Sequence, residues 1–475
     1  MINNSNDNLS QSLERYINSD ALPMHMPGHK RNPNLIDVAF RKDITEINNF
    51  DDLKKPNGLI KDMEIKAARI WNASSSLISV NGSTGLLIST VLALCTLGKV
   101  LIASNCHISV WHGLELSKGN AVLIDPVKTS DGIWGAINPN DVDKLLTKDP
   151  SIKSVIITSP TYEGVVSDIP AIYEITRKHN VLLAIDEAHG AHLGLNNYFP
   201  NTSMADVVIK SIHKTLSAPT QTAIMLFYGD KASSRLITHY KNSIESSSPS
   251  YVLMAGICQA LDEVDKDIHP LLAVENWVES LKECRKKLSS CKKITLFNSD
   301  DPSKLVLTSI YIGGYDMADI LRDKYHIEVE AAFPNYIIAM TGIGDTLSSL
   351  TRFSDAIIEM DSAITEENSI SNNIEPSSEV NSGLAISGES ISRSLLAPFV
   401  SEPLDKIETL IGKISAEYLF AYPPGIPLLI PGMVITPAKA REIKSAMDSN
   451  LHLTSEPVNN DNQLFLVDTD NDSLV

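Results

Sequence analysis

A chain of 475 residues, 43% of them hydrophobic, is long enough to bury a large core and to divide into two or three domains. Its 58 acidic and 40 basic side chains give a net charge of −18, which repels phosphate backbones, so no nucleic acid partner is expected. The five cysteines form no C-x-x-C pair, which predicts neither a disulfide framework nor a zinc site, and no metal is expected.

The first 32 residues are interpreted as an N-terminal segment. They lack the basic and then apolar order of a secretory signal, which predicts a cytoplasmic protein. The longest apolar stretch, residues 85–103, contains three hydroxyl side chains and Lys99, as expected for a core helix followed by a strand. We therefore expect no membrane segment.

Residues 33–290 alternate helix-like segments with short β-branched runs, which is typical of a parallel sheet with helices on its faces. The runs 154–159, 181–185 and 205–209 are apolar almost throughout, as expected for strands covered on both faces. The fold class is therefore predicted to be α/β, with this region as the large domain. Ligands of such sheets bind beyond the carboxyl ends of the strands, so the following segments are the predicted place of chemistry.

The rest of the chain is divided by composition. Residues 291–365 are assigned to a small α+β domain, and residues 366–393, rich in Ser, Asn, Glu and Gly, are predicted to be a mobile linker. Residues 394–475 are predicted to form a separate C-terminal domain. Its proline-rich run 422–432 excludes both helix and central strand and is suited to form a rigid pocket wall.

The first candidate for a reactive group is Lys214, which follows Ser211 and His213 directly after an apolar strand. A lysine amine at this edge of a sheet can form a Schiff base. The tetrapeptide alone is equally compatible with a solvated strand end. Asp186 follows the preceding strand, and a carboxylate beside a pyridinium nitrogen keeps that nitrogen protonated. In isolation, Asp186 is more simply read as a helix cap.

Two further segments lie in comparable places. Asn81 to Gly85 precede an apolar helix-like run, so backbone N–H groups and the hydroxyls of Ser83 and Thr84 would gather at a helix N-terminus, which favours an anion. His107 follows another strand, where its imidazole could lie flat against a cofactor ring. Each feature also has a purely structural interpretation, as a helix cap or a structural histidine.

Together these pieces resemble the fold-type-I Orn/Lys/Arg decarboxylase family in its shorter bacterial form, across nearly the whole chain. The resemblance rests on many motifs that stand in order, and the combination is highly specific. These motifs are His25–Lys30, Asp43–Glu46, Phe50–Leu53, Asn81–Thr84, Asn105–His107, Ser159–Asp168, Asp186–His192, Ser211–Leu216 and Tyr422–Gly432.

The resemblance implies an aspartate-aminotransferase-like large domain (PLP fold type I) that binds pyridoxal 5′-phosphate (PLP). It implies an internal aldimine at Lys214, Asp186 at the pyridine nitrogen and His107 stacked on the ring. Four residues are implied to surround the phosphate: Ser83, Thr84, Ser211 and His213. Gly85 and Thr161 complete the implied cofactor site. A homodimer or higher homo-oligomer, with the active site at a subunit interface, is also implied.

The implied reaction is decarboxylation of an amino acid, most simply lysine, arginine or ornithine, to the amine and CO2, with Lys214 or His189 returning a proton. Three positions depart from the family pattern: Ser104 and Ile108 replace basic residues, and Met433 replaces a glutamate suited to the substrate's distal cation. Two alternatives therefore stay open, an aminotransferase or other PLP-dependent amino-acid reaction on this scaffold, and a catalytically silent PLP-binding regulatory homologue.

Overall fold

The structure is a computed structural model, and it describes most of the chain between residues 51 and 469. The described residues are 20, 22–24, 51–129, 132–201, 204–229, 231–267, 270–365, 382–421, 425–448, 453–457 and 462–469. The motifs at 25–30 and 43–46, residue 50, and the first three residues of the proline-rich run lie outside them. Predictions for those motifs stay predictions.

Within these ranges the chain alternates strands and helices through its first half. The strands are β1 (Leu22–Met24), β2 (Ser75–Ser79), β3 (Lys99–Ala103), β4 (Asn120–Ile124), β5 (Ile152–Thr158), β6 (Leu182–Asp186), β7 (Val207–Ser211), β8 (Ala223–Phe227), β9 (Ile294–Leu296), β10 (Lys304–Ser309), β11 (Ile327–Val329), β12 (Ala331–Ala332), β13 (Tyr336–Met340), β14 (Ala385–Ser387), β15 (Phe399–Pro403), β16 (Tyr418–Ala421), β17 (Ile426–Leu429), β18 (Leu453–Glu456) and β19 (Gln463–Val467). The α-helices are α1 (Leu59–Ile70), α2 (Gly82–Cys95), α3 (Ile108–Ser117), α4 (Pro139–Lys148), α5 (Ile169–Lys178), α6 (Ile212–Thr215), α7 (Lys231–Ile244), α8 (Tyr251–Glu263), α9 (Leu272–Leu288), α10 (Gly314–Tyr325), α11 (Leu347–Ala363), α12 (Gly388–Leu396) and α13 (Pro437–Asp448), and Leu404–Leu410 form a 3-10 helix.

Several helix starts are set by capping side chains. Asn138 precedes α4 and accepts a hydrogen bond from a backbone N–H of its first turn. Asp168 does the same for α5, accepting the N–H of Ala171 at 3.1 Å. Thr346 and Ser349 form a reciprocal capping box at the start of α11. These contacts satisfy N–H groups that have no partner inside the helix.

The large sheet has the strand order β14-β4-β3-β5-β6-β7-β8-β2. Its five central strands, from β4 to β7 in that order, are parallel, whereas β14, β8 and β2 are antiparallel to their neighbours. The three predicted apolar runs correspond to β5, β6 and β7, shifted by two residues at most, a difference that is common at strand ends. The predicted α/β fold class is confirmed.

The apolar runs are continuous because both faces of the sheet are buried. On β5, Val155 and Ile157 face one apolar cluster and Ile156 faces another on the opposite side. On β6, Ile185 and Ala184 divide between the same two clusters. Neither face of these strands needs polar residues, so the usual alternation of a half-buried strand is absent.

The small domain follows the long helix α9. Four antiparallel strands, in the order β12-β13-β10-β9, form its main sheet, and β1 pairs with β11 in parallel. Helices α9 and α11 pack against one another beside this sheet. The mixture of antiparallel sheet and helices matches an α+β arrangement, while the predicted domain boundaries stay predictions.

In the second half of the predicted mobile linker, residues 382–393, the structure shows an ordered strand and helix. Residues 366–381 lie outside the described part, but the chain is built into the fold from Ser382, which exchanges hydrogen bonds with Asp125. Strand β14 extends the large sheet, and helix α12 packs on α3, with Gly388 so close to the carbonyl of Leu114 that a Cβ would not fit. The composition predicted a linker because this segment has few large apolar residues. It is held in the fold by the edge-strand hydrogen bonds of β14 and by the buried side chain of Ile391.

The C-terminal region has an apolar cluster of its own, around the 3-10 helix, α13 and strands β16, β17 and β19. It is tied to the large domain through helix α3. Tyr418 donates a hydrogen bond to the carboxylate of Glu115 at 2.8 Å, and the N–H of Ile108 donates to the carbonyl of Gly425 at 2.9 Å. The end of the proline-rich run thus lies against the start of α3. Across the described ranges, every helix is too short or too polar to cross a bilayer.

Candidate active site

Lys214 lies on the short helix α6, immediately after strand β7. Its Nζ atom is 2.7 Å from Nε2 of His189. Removal from water lowers the pKa of Lys214 to about 8, although the carboxylates of Asp186 and Glu330 act in the opposite direction. A large fraction of the amine is therefore neutral at mildly alkaline pH and available as a nucleophile.

Asp186 is the last residue of β6, the parallel neighbour of β7, and pairs with Ile209 in the sheet register. Its carboxylate is buried and accepts the N–H of Ala188 at 3.1 Å. Burial raises the pKa of Asp186, and the charge of Lys214 opposes that rise. The two adjacent strand ends therefore bring an amine and a carboxylate to one edge of the sheet, the edge at which ligands of parallel sheets bind.

The N-terminus of α2 lies beside the same edge. Ser211 donates a hydrogen bond from its hydroxyl to that of Ser83 at 2.9 Å, which joins the end of β7 to the first turn of the helix. Gly82 has a φ of +67°, and apart from its chain neighbours and its own helix no atom of the described residues lies within 4 Å of the place where its Cβ would stand. The first turn contains no acidic residue. The N–H groups of a helix start, hydroxyls and open space together suit an anion.

The other predicted residues of this helix start differ in exposure. Thr84 is exposed, so its hydroxyl is accessible from solvent. Gly85 is buried, and a Cβ there would lie 2.9 Å from the side chain of Asn81. Gly85 therefore contributes close packing of the turn, while Thr84 contributes a group that a ligand can reach.

His213 is held in one tautomer by its backbone neighbour. Its Nδ1 lies 2.9 Å from the carbonyl oxygen of Thr222, so that nitrogen carries the proton of the neutral ring. Burial and the charge of Lys214 lower the pKa of His213 to about 4. The ring is therefore neutral at physiological pH, with its Nε2 as an acceptor.

Thr161 shapes the loop that follows β5. Its hydroxyl donates to the carbonyl of Trp134 at 3.3 Å and accepts the N–H of Val165 at 3.2 Å. The residue is buried. These contacts explain a structural role for Thr161, and contact with a cofactor stays a prediction.

His107 is the N-cap of helix α3. Its Nδ1 accepts the N–H of Ser109 at 3.2 Å and lies 2.8 Å from the Ser109 hydroxyl, which fixes the ring. Desolvation, followed by the charge of Lys214, lowers the pKa of His107 to about 3. The structure thus brings a neutral, oriented imidazole within electrostatic range of the amine.

His189 is the direct partner of Lys214. The ring of Tyr162 meets it edge-on, with the centroids 4.9 Å apart and the planes at 90°. Desolvation and the charge of Lys214 lower the pKa of His189 well below its usual range. Its Nδ1 is buried and has no hydrogen-bond partner among the described residues. The amine and this neutral imidazole together can hold and transfer one proton.

Two residues of the small domain reach this site, and sequence reasoning gave no role to either. Lys304, on β10, is fully buried, and its Nζ donates to the carbonyl of His189 at 3.1 Å and to Asp301 at 3.2 Å. Glu330, just after β11, accepts a hydrogen bond from the Tyr162 hydroxyl at 2.8 Å. Their contact residue Tyr162 did carry a signal in the sequence, since it lies in a segment that follows a central strand, where ligands are expected to bind.

The three departures from the family pattern have distinct surroundings. Ser104 donates from its hydroxyl to Asp125 at 2.5 Å, and Ile108 is buried at the start of α3. Met433 packs between the apolar cluster of the large domain and that of the C-terminal region. At position 433 the chain therefore offers an apolar side chain in an apolar environment.

Comparisons with known proteins agree with these observations. Residues 8–311 match the family model described as Orn/Lys/Arg decarboxylase, major domain, and residues 400–447 match that of the C-terminal domain of the same decarboxylases. The chain is similar to the arginine decarboxylase of Bacillus subtilis, with 27% identity over 93% of this chain and 94% of that protein. An arginine decarboxylase of Halalkalibacterium halodurans is also 27% identical, over 92% of each chain.

Solved structures show the same fold. The lysine decarboxylase of Francisella novicida superposes with a TM-score of 0.69 at 17% identity, covering 96% of this chain and 80% of that one. An alanine–glyoxylate aminotransferase from Nostoc superposes with a TM-score of 0.55 at 13% identity, covering 72% of this chain and 95% of that one. The similarity to the aminotransferase thus covers about three quarters of the chain, whereas the match to the decarboxylase extends over nearly all of it.

Proposed function

Because the chain belongs to the Orn/Lys/Arg decarboxylase family, we propose that it removes the α-carboxylate of a basic amino acid, lysine, arginine or ornithine, as CO2, with PLP bound at Lys214. The observation that carries the proposal is the desolvated amine of Lys214, whose pKa is lowered to about 8, at a strand end adjacent to Asp186. This pairing meets the main requirements of PLP chemistry.

The residues present fit the three polar parts of PLP. An aldehyde needs a reactive amine, which Lys214 supplies. The ring nitrogen needs a carboxylate, which Asp186 supplies. The phosphate needs an anion site, and the open N-terminus of α2 with the hydroxyls of Ser83 and Ser211 is of that kind.

When bound, PLP supplies an electron sink for the pair of electrons left by the departing carboxylate. Asp186 would bind the protonated ring nitrogen and hold its proton. Burial of Asp186 makes its ionised form costly without a cation, so a cationic ring nitrogen would restore that form. His107, fixed by its cap to Ser109, would cover one face of the ring.

The Lys214 and His189 pair would return a proton to the carbon that loses CO2. The pKa of about 8 allows Lys214 to hold or release a proton near neutral pH, and His189 is neutral and 2.7 Å away. A proton can therefore pass between the two without either group entering bulk water.

The late arginines argue against transamination. An aminotransferase on this scaffold normally binds the substrate carboxylate with an arginine, and Arg352 and Arg393 are two arginines late in the chain. Arg352 donates to the carbonyls of Asp20 and Tyr325, both at 2.8 Å, and Arg393 pairs with the exposed Glu389 at 2.8 Å. Both guanidinium groups are already bound by other groups of the chain, which favours decarboxylation.

The test is a panel of amino acids incubated with purified protein and PLP, with CO2 release, amines and keto acids measured together. An amine and CO2 from a basic amino acid are the expected products. A keto acid would establish the aminotransferase alternative, and absence of any product from protein that retains PLP would establish the silent homologue.

We also infer that the protein is cytoplasmic and that it acts as a homodimer or larger homo-oligomer with its active site at a subunit interface. The support is the family membership. Light scattering of the purified protein measures the assembly, and a monomer that turns over substrate at full rate would contradict this part of the proposal.

A further inference from the structure

We propose that Glu330 binds the distal cation of the substrate side chain, and that the hydroxyl of Tyr162 holds its carboxylate in position. The proposal rests on the function proposed above, since it concerns the part of the same substrate that does not react. It assigns substrate recognition to a residue of the small domain.

A line of contacts leads from the reacting amine to this carboxylate. Nζ of Lys214 is 2.7 Å from His189, the ring of His189 meets that of Tyr162 at 4.9 Å between centroids, and the Tyr162 hydroxyl donates to Glu330 at 2.8 Å. A substrate joined at the position of Lys214 would have its side chain beside this line. The charge of Glu330 also acts on Lys214, where it raises the pKa.

The aromatic rings around Tyr162, the hydrogen-bond partner of Glu330, suit the apolar stem of a cationic side chain. The ring of Phe333 lies 6.5 Å from that of Tyr162 and stacks on Tyr336 at 4.5 Å, and these side chains belong to one apolar cluster. Glu330 itself is only partly buried. Apolar walls cover the methylene groups of a long cationic side chain, and reduced access of water strengthens the attraction between the charges.

Two carboxylates, those of Asp186 and Glu330, act on the pKa of Lys214 by their charge. Asp186 is assigned to the ring nitrogen, so Glu330 is the one left to bind a substrate cation. Met433 packs in apolar surroundings and cannot balance a charge. A desolvated ammonium or guanidinium group is therefore best matched by Glu330.

The experiment compares binding of 1,5-diaminopentane and pentylamine to the PLP-loaded protein, followed by visible absorbance. These amines differ only in the distal amino group. We expect the unmodified protein to bind the diamine on the order of tenfold to a hundredfold more tightly, and Glu330→Gln to lose that preference. Glu328→Gln is the matched control, because its carboxylate binds Arg322 on the protein surface, and it keeps the preference.

Steady-state kinetics give a second readout. Glu330→Gln is expected to raise KM for the basic amino acid by a similar factor with a smaller change in kcat, because the lost contact is made before and during the reaction. Glu330→Asp, which keeps the charge, restores part of the diamine preference.

The outcomes separate this inference from the proposed function. If the unmodified protein decarboxylates lysine or arginine and Glu330→Gln keeps the diamine preference, only the role of Glu330 is wrong. If the unmodified protein decarboxylates no amino acid, the proposed function fails first. Should Glu330→Gln not retain PLP, Tyr162→Phe decides: an undiminished diamine preference in that variant overturns the proposal.

Discussion

Nζ of Lys214 lies 2.7 Å from Nε2 of His189, and the two residues come from the segments that follow adjacent parallel strands. Desolvation lowers the pKa of both groups, so the pair carries fewer protons at neutral pH than the same groups in water. The carbonyl of His189 is in turn held by the buried ammonium of Lys304. A reactive amine, a proton acceptor and a rigid support are thus assembled from two domains.

Replacement of Lys214 by alanine is expected to abolish both the covalent attachment of PLP and turnover. The side chain lies at the edge of the sheet, outside the apolar clusters of the core, so the fold should be retained. Visible absorbance with added PLP and circular dichroism measure the two properties. Normal turnover by this variant would overturn the assignment of the site.

The rate at which PLP-free protein captures PLP is expected to depend on pH through Lys214. Only the neutral amine attacks an aldehyde, and its pKa is lowered from 10.5 to about 8. The rate should therefore rise between about pH 7 and 9 and level off above that range. Stopped-flow absorbance at constant ionic strength checks this, and a rate that still rises towards pH 10.5 would show that the amine is not desolvated.

His189→Asn is expected to lower kcat on the order of a hundredfold while PLP binding persists, since it removes the proton acceptor beside Lys214. The matched control is His239→Asn on the exposed side of α7, which should leave kcat unchanged. Single-turnover measurements separate proton return from product release. An unchanged kcat in His189→Asn would assign proton return to Lys214 alone.

Much of the site could be predicted from the sequence because its parts follow central strands. Parallel strands buried on both faces appear as continuous apolar runs, and their carboxyl ends meet at one edge. Asp186 and Lys214 follow consecutive strands of this kind, so their proximity required only the order of β6 and β7. The family resemblance added assignments that periodicity does not contain.

The contacts made by the small domain could not be predicted in this way. Tyr162 and Glu330 are 168 positions apart, and Glu330 follows a strand of three residues, which leaves no periodic signal. Likewise, a composition that is poor in large apolar residues hid the fact that β14 completes the edge of the large sheet. Both features depend on how separate elements pack, which local sequence does not encode.

Lys304→Met is expected to lower the free energy of unfolding by about 3 to 5 kcal/mol, because it leaves Asp301 buried without its ammonium partner. Asp301 also contacts His192 at 3.0 Å, and that contact survives in the variant, so the loss should lie towards the lower end of the range. Urea denaturation followed by circular dichroism measures the change. Lys324→Met is the matched control in the same domain, because Lys324 pairs with Glu359 on the surface, and it should change stability little. Equal stability of the two variants would mean that the buried carboxylate of Asp301 does not need the ammonium of Lys304 as its partner.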